Sequence, residues 1–157
     1  MPRKPRTVKV DPQFHNWNPP TVCVPLIFMR GGILTIRRAL AEGYGKVSLP
    51  GGFQEMGVSW QQTLTNETLE ETGIQTESHR WLLRNIVSVE ENRKNLLFAS
   101  YHPTFAERLE WTPIEKGDET LSVDIWTPES TAAWAFPLHE QYAREYYTVN
   151  KKLEKAT

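Results

Sequence analysis

A chain of 157 residues with 39% hydrophobic, 11% aromatic and 24% charged positions has the make-up of one globular domain, which argues against a disordered protein and against two domains. Eighteen Lys and Arg nearly balance nineteen Asp and Glu, so no global charge draws the chain to nucleic acid or to an anionic membrane. The sign is uneven, however: residues 1 to 50 carry eight Lys or Arg against Asp11 and Glu42, a basic first third that suits phosphate, and the acidic remainder suits a metal ion.

Met1 to Pro20 holds five prolines and the basic cluster Arg3, Lys4, Arg6 and Lys9 without helical or alternating periodicity, so an extended arm over residues 1–20 is expected ahead of a domain over 21–157. It lacks the apolar core of a secretory signal. The run Val22 to Met29 is apolar and β-branched, and Gly31-Gly32 divides it from Ile33 to Arg37, which reads as a hairpin. Pro25 removes a ladder donor, so the first strand is expected to be an edge there or to carry a bulge. Cys23, the one cysteine, excludes an intrachain disulfide and a multi-cysteine zinc site; with no His or Asp near it in sequence, it reads as core.

Five of the nine glycines lie between Gly43 and Gly57, a density that lets backbone pass close to a ligand. Ser59 can cap a helix over the Gly- and Pro-free run to Thr72, and Gly73 supplies its left-handed end. Trp81 to Glu91 and Lys94 to His102 read as a long hairpin, Glu107 to Asp118 as a polar loop, and Thr120 to Trp126 as a strand. A second helix follows over Phe136 to Leu153, with Leu138, Tyr142, Tyr146 and Val149 near one face. Mixed strands with few helices give an α+β or layered α/β/α domain.

On the first helix Glu67, Glu70 and Glu71 stand at i, i+3 and i+4 and share one face. Like charges at this spacing repel, which a divalent cation would reverse, and hard oxygen donors select Mg²⁺ or Mn²⁺. A glutamate cluster on a short helix is more often a solvated face; the glycine loop just before it is what favours a metal.

Loop and helix together, LPGGFQEMGVSWQQTLTNETLEETGI from Leu49 to Ile74, resemble the signature of the Nudix hydrolases. The family pattern aligns without a gap on Gly52, Glu67, Glu70, Glu71, Gly73 and Ile74, and Leu49-Pro50-Gly51 matches its lead-in. Three positions depart: Val58 stands for the first glutamate, Asn66 for the arginine and Thr68 for the bulky apolar residue after Glu67. Losing the glutamate and the arginine together strands neither charge, which costs less than losing one. A working, retuned site is the expectation, with a non-catalytic nucleotide-binding regulatory module as the alternative.

The resemblance implies a Nudix-type α/β/α sandwich with mixed β-sheet. It also implies Mg²⁺, with Mn²⁺ able to substitute, on Glu67, Glu70, Glu71 and the Gly51 carbonyl, serving hydrolysis within a nucleoside diphosphate derivative. A downstream acid serves the family as base or extra ligand. Glu119 is the candidate here; Glu90 and Glu91 are less favoured, Glu115 is less well placed still, and Glu55 is suited to metal-bound water. Arg37 and Lys46 flank the glycine loop and are the candidate phosphate contacts, and Phe53 is the candidate base or sugar contact. Trp60, Trp81, Trp111, Trp126 and Trp134 read as core or dimer contacts before base platforms, and His139 as a helix-surface histidine before a catalytic base.

The arrangement looks most like the compact ADP-ribose pyrophosphatase-like members, acting on ADP-ribose, a dinucleotide or a nucleotide sugar. A nucleoside triphosphate or RNA 5′-end pyrophosphohydrolase is the rival within enzymes, the basic arm being the sole support for RNA. A cytoplasmic protein is expected, without membrane association since no apolar run approaches roughly 18 to 20 residues; the sequence permits a homodimer and does not demand it.

Overall fold

A computed structural model describes residues 19–89 and 93–156; the expected arm up to residue 18, and Glu90 and Glu91, lie outside them. In chain order the elements are β1 (Thr21–Leu26), β2 (Phe28–Met29), β3 (Gly32–Arg38), β4 (Val47–Ser48), β5 (Gly52–Phe53), α1 (Trp60–Thr72), a 3₁₀ turn (Ser78–Arg80), β6 (Trp81–Val89), β7 (Lys94–Tyr101), α2 (Pro103–Ala106), β8 (Thr120–Trp126) and α3 (Pro137–Lys155).

The strands form two sheets. One runs β5-β1-β7-β6 and is mixed, with β1 parallel to β7 and the other pairs antiparallel. The second is antiparallel, β2-β3-β4, with β8 also on β3. Alternation along the strands decides the layering. Cys23 of β1 and Leu97, Ala99 and Tyr101 of β7 pack with Leu64 of α1, whereas Val24, Leu26, Leu96 and Phe98 pack with Ala143 and Tyr146 of α3. The mixed sheet therefore has α1 on one face and α3 on the other, the expected sandwich. Each fully buried Leu or Phe contributes roughly 1.5–3 kcal/mol to holding it together.

The helix bracketed by Ser59 and Gly73 forms as the sequence predicts: the Ser59 hydroxyl accepts from the Gln62 N–H, and Gly73 adopts φ +81°. The long hairpin also forms, with a register shift between Leu83 and Asn85. The first expected hairpin is corrected. Only Phe28–Met29 returns onto β3, while β1 leaves for the other sheet and pairs along its whole length with β7, some seventy residues later in the chain. Pro25 is at an edge of a kind, because β5 pairs with β1 at Val22 and Cys23 and stops short of it. On α3 the buried face is His139, Ala143, Tyr146 and Asn150, and Val149 is exposed, one position off the predicted stripe.

Candidate active site

The glycine loop is pinned at Leu49 and Gly51 by two buried side chains. At its start the Leu49 N–H donates to Nδ1 of His139 at 3.1 Å, so this histidine is a buried anchor, 7% exposed, and the expectation of a helix-surface residue is corrected. Two residues on, the Gly51 N–H donates to Oε2 of Glu71 at 2.7 Å. Gly52 is in contact with the next carboxylate up the helix: a Cβ added there would overlap the carboxylate of Glu67, so any side chain at this position would displace it. The loop then closes on itself, with the Gln54 side chain donating to the Val58 carbonyl at 2.8 Å and the Val58 N–H to the Glu55 carbonyl at 3.1 Å. Asn66 accepts from Gln62 at 2.8 Å on the exposed face of α1. Val58 and Asn66 are thus accommodated by neutral hydrogen bonds within the loop and the helix. Thr68 is fully buried and donates back to the Leu64 carbonyl at 2.7 Å, so its hydroxyl is satisfied within the helix.

The far side of the site comes from the segment before β8. The Thr120 hydroxyl donates to the Glu71 carbonyl at 2.9 Å and the Ile114 N–H to the Thr72 carbonyl at 3.0 Å, which ties this segment to the end of α1. That tie brings the Glu119 carboxyl to Glu71 and within electrostatic reach of Glu67. Burial pushes the Glu71 carboxyl up to about 9, opposed by the Gly51 N–H and reinforced by Glu119 and Glu67. Burial, then Glu70, Glu119 and Glu55, pushes Glu67 up to about 7. Glu70 and Glu55 stand exposed at the rim. Buried Cys23 is core, as predicted, and burial together with Glu67 raises its thiol to about 11.

These carboxylates repel one another, and the shifts of Glu67 and Glu71 arise from burial and from each other's charge rather than from cationic partners. Among the described residues no three His, Cys, Asp or Glu side chains are gathered closely enough to grip an ion as they stand. The donor set nevertheless fits a hard divalent cation in kind: several carboxylate oxygens, two of them held at the glycine backbone by α1.

The site opens into a cleft of about 700 Å³ whose lining includes Gly51, Gly52, Phe53 and Glu71. Phe53 is 56% exposed and also borders a small polar pocket of about 100 Å³ with Glu55, Val58, Asn66, Glu67 and Glu70. Arg37 donates to the Gly45 carbonyl at 3.2 Å and Lys46 is exposed on the same turn; neither lines the cleft. The cations that do line it are Arg38 and Lys94, with Phe136 and His139 beside them. Arg37 and Arg38 end the same strand and by sequence either could meet a phosphate, whereas Lys94 and Phe136 are remote in the chain and no spacing singles them out. Trp60, Trp81, Trp111, Trp126 and Trp134 all pack in or against the core clusters.

The NUDIX domain model matches residues 17–149. The chain belongs to the Nudix family. No curated protein matches it. Among solved structures, a Nudix hydrolase from Nitrosomonas europaea is similar at a TM-score of 0.65 and 22% identity, over 83% of this chain and 71% of that one. A MutT Nudix hydrolase from Burkholderia pseudomallei gives 0.63 and 21%, over 80% and 96%. A bifunctional NMN adenylyltransferase/ADP ribose pyrophosphatase from Francisella tularensis, complexed with AMP and a Mn ion, gives 0.58 and 17%, over 88% and 42%. At these identities the likeness is one of fold. Nudix hydrolases act on nucleoside diphosphate derivatives and generally use divalent metal ions, and this Nudix chain is a hydrolase of that general class. No helix among the described residues is long and apolar enough to cross a membrane.

Proposed function

We propose that this Nudix protein hydrolyses the diphosphate linkage of a soluble nucleoside diphosphate derivative, of the ADP-ribose, dinucleotide or nucleotide-sugar type, with Mg²⁺ as cofactor. The observation that carries the reading is the seating of Glu67 and Glu71 on the Gly51-Gly52 backbone at the mouth of a cleft large enough for a nucleotide. In this reading Glu67, Glu70, Glu71 and the Gly51 carbonyl hold the cation. When bound, it supplies Lewis acidity to the diphosphate oxygens and lowers the pKa of a water.

The chain's own part is positioning and proton handling. Gly51 and Gly52 let the diphosphate approach the backbone, and Phe53 packs against the base or sugar. Glu119, opposite Glu71, accepts the proton as water oxygen bonds to phosphorus and the anhydride P–O bond breaks, giving two phosphorylated products. Arg37 and Lys46 add positive charge around the glycine loop at longer range. The chromatographic test is a panel of ADP-ribose, dinucleotides, nucleotide sugars, nucleoside triphosphates and capped RNA, with Glu70→Gln as control. Turnover of a diphosphate derivative, lost in the variant, is the expected result. Nucleotide binding without turnover of any member would replace this reading with that of a regulatory binder.

A further inference from the structure

The cleft is divided in charge. Its acidic end is Glu71, whose electrostatic neighbours are Glu67 and Glu119, and its other end is built on His139. Phe136 lies 4.9 Å from the His139 ring, and the Arg38 guanidinium lies 4.7 Å over the opposite partner, the Phe136 ring itself. Arg38 spends its Nε on the Glu42 carbonyl at 2.9 Å, and its two terminal nitrogens make no further hydrogen bond among the described residues. Lys94 lines the same cleft, and neither cation is in an ion pair among the described residues; Glu42 also borders the cleft but pairs with neither. Both cations share the lining of this cleft with buried His139. Leu138, in the first turn of α3, shares this wall, where Phe136 provides no side-chain cap.

A stacked guanidinium with its paired terminal N–H groups left over is a phosphate reader, and a lysine beside it adds a point charge. We propose that Arg38 and Lys94 form a second phosphate subsite, so that the preferred substrates are nucleoside diphosphate derivatives carrying one phosphate more than the bond to be cut requires. This rests on the reading that the cleft is the nucleotide site. The extra group has two sources, a phosphomonoester on the ribose or an additional phosphate in the chain, and the chemistry recognised is the same.

The test is calorimetric binding of AMP, ADP, adenosine 2′,5′-bisphosphate and adenosine 3′,5′-bisphosphate to the wild type, Arg38→Gln and Lys94→Gln. Each titration is run with Mg²⁺ and again with EDTA, which separates a preference caused by a cation at Glu67 and Glu71 from one caused by Arg38. At least one two-phosphate ligand is expected to bind roughly tenfold tighter than AMP in both buffers, the preference falling several-fold in each variant. A preference shown by ADP alone assigns the subsite to the chain, and one shown by a bisphosphate assigns it to the ribose. Equal affinity for all four ligands, no binding of any, or a preference untouched by both substitutions would overturn the proposal. Because binding is read without turnover, a silent hydrolysis panel sinks the hydrolytic reading and leaves this one to be judged on its own.

Discussion

The Gly51 N–H and the Glu71 carboxylate, twenty residues apart, meet at 2.7 Å and join the glycine loop to the helix that carries the acidic face. The carboxyl so held is 6% exposed and is raised from 4.5 to about 9 by burial, with Glu119 and Glu67 adding to it. The folded metal-free protein therefore binds a proton more readily than the unfolded chain, and its stability falls as pH rises from about 4.5 toward 9. Glu71→Gln keeps an oxygen for the Gly51 N–H and removes the charge. Urea unfolding in EDTA at pH 8 should show the variant more stable by on the order of 2 kcal/mol, with a flatter pH dependence, while hydrolysis is lost. A variant no more stable than the wild type at pH 8 would contradict the assignment of a strained carboxylate.

Gly52 is the position where the missing side chain leaves room for the Glu67 carboxylate. A methyl group would overlap the Glu67 carboxylate, which must then swing away or push β5 off β1. Gly52→Ala is expected to cut turnover by roughly a hundredfold or more, because small displacements of positioned groups are costly in catalysis. Its circular dichroism should stay close to that of the wild type, since β5 pairs with β1 at two positions only. Wild-type turnover in this variant would show that Glu67 is not held where the reaction needs it.

His139 contributes to the acid limb of stability. Burial, with Arg38 and Lys94, lowers it from 6.5 to about 3, so the stabilisation it provides is complete above 6.5 and is lost as pH falls toward 3. Protonation of Nδ1 would also abolish its acceptance of the Leu49 N–H. His139→Leu should cost about 1–3 kcal/mol at pH 7, by stranding that N–H, and should remove the part of the acid-limb slope due to this histidine. An unchanged pH profile in the variant would place the acid sensitivity elsewhere.

What could be read from the chain was what is local in it. Ser59 and Gly73 bracket α1 through hydrogen bonds and backbone angles within a few residues, and β6 and β7 pair antiparallel with few residues between them in the chain, so neighbouring residues determine both. The departure of β1 from its expected hairpin was hidden because parallel pairing with β7 is a choice between distant apolar strands, which no local period encodes. The buried face of α1 was hidden differently: Thr63, Thr68 and Thr72 are buried with their hydroxyls returned to carbonyls one turn back, so polar residues occupy positions that pattern reading reserves for apolar ones. Within the site, the carboxylates and glycines follow a spaced motif and were legible. Arg38, Lys94, Phe136 and His139 come from β3, β7 and α3 and share no spacing, so only the fold assembles them.

The central claim is that the acidic face of α1 against the glycine loop is a cation-dependent hydrolytic site. The direct measurement is ADP-ribose hydrolysis over a Mg²⁺ titration from EDTA to saturation, in the wild type and in Glu67→Gln. The expected result is no turnover in EDTA, saturable turnover with Mg²⁺ in the wild type, and at least a hundredfold lower rate in the variant at every concentration. Turnover that persists in EDTA, or a Glu67→Gln protein that saturates at the wild-type rate, would contradict it.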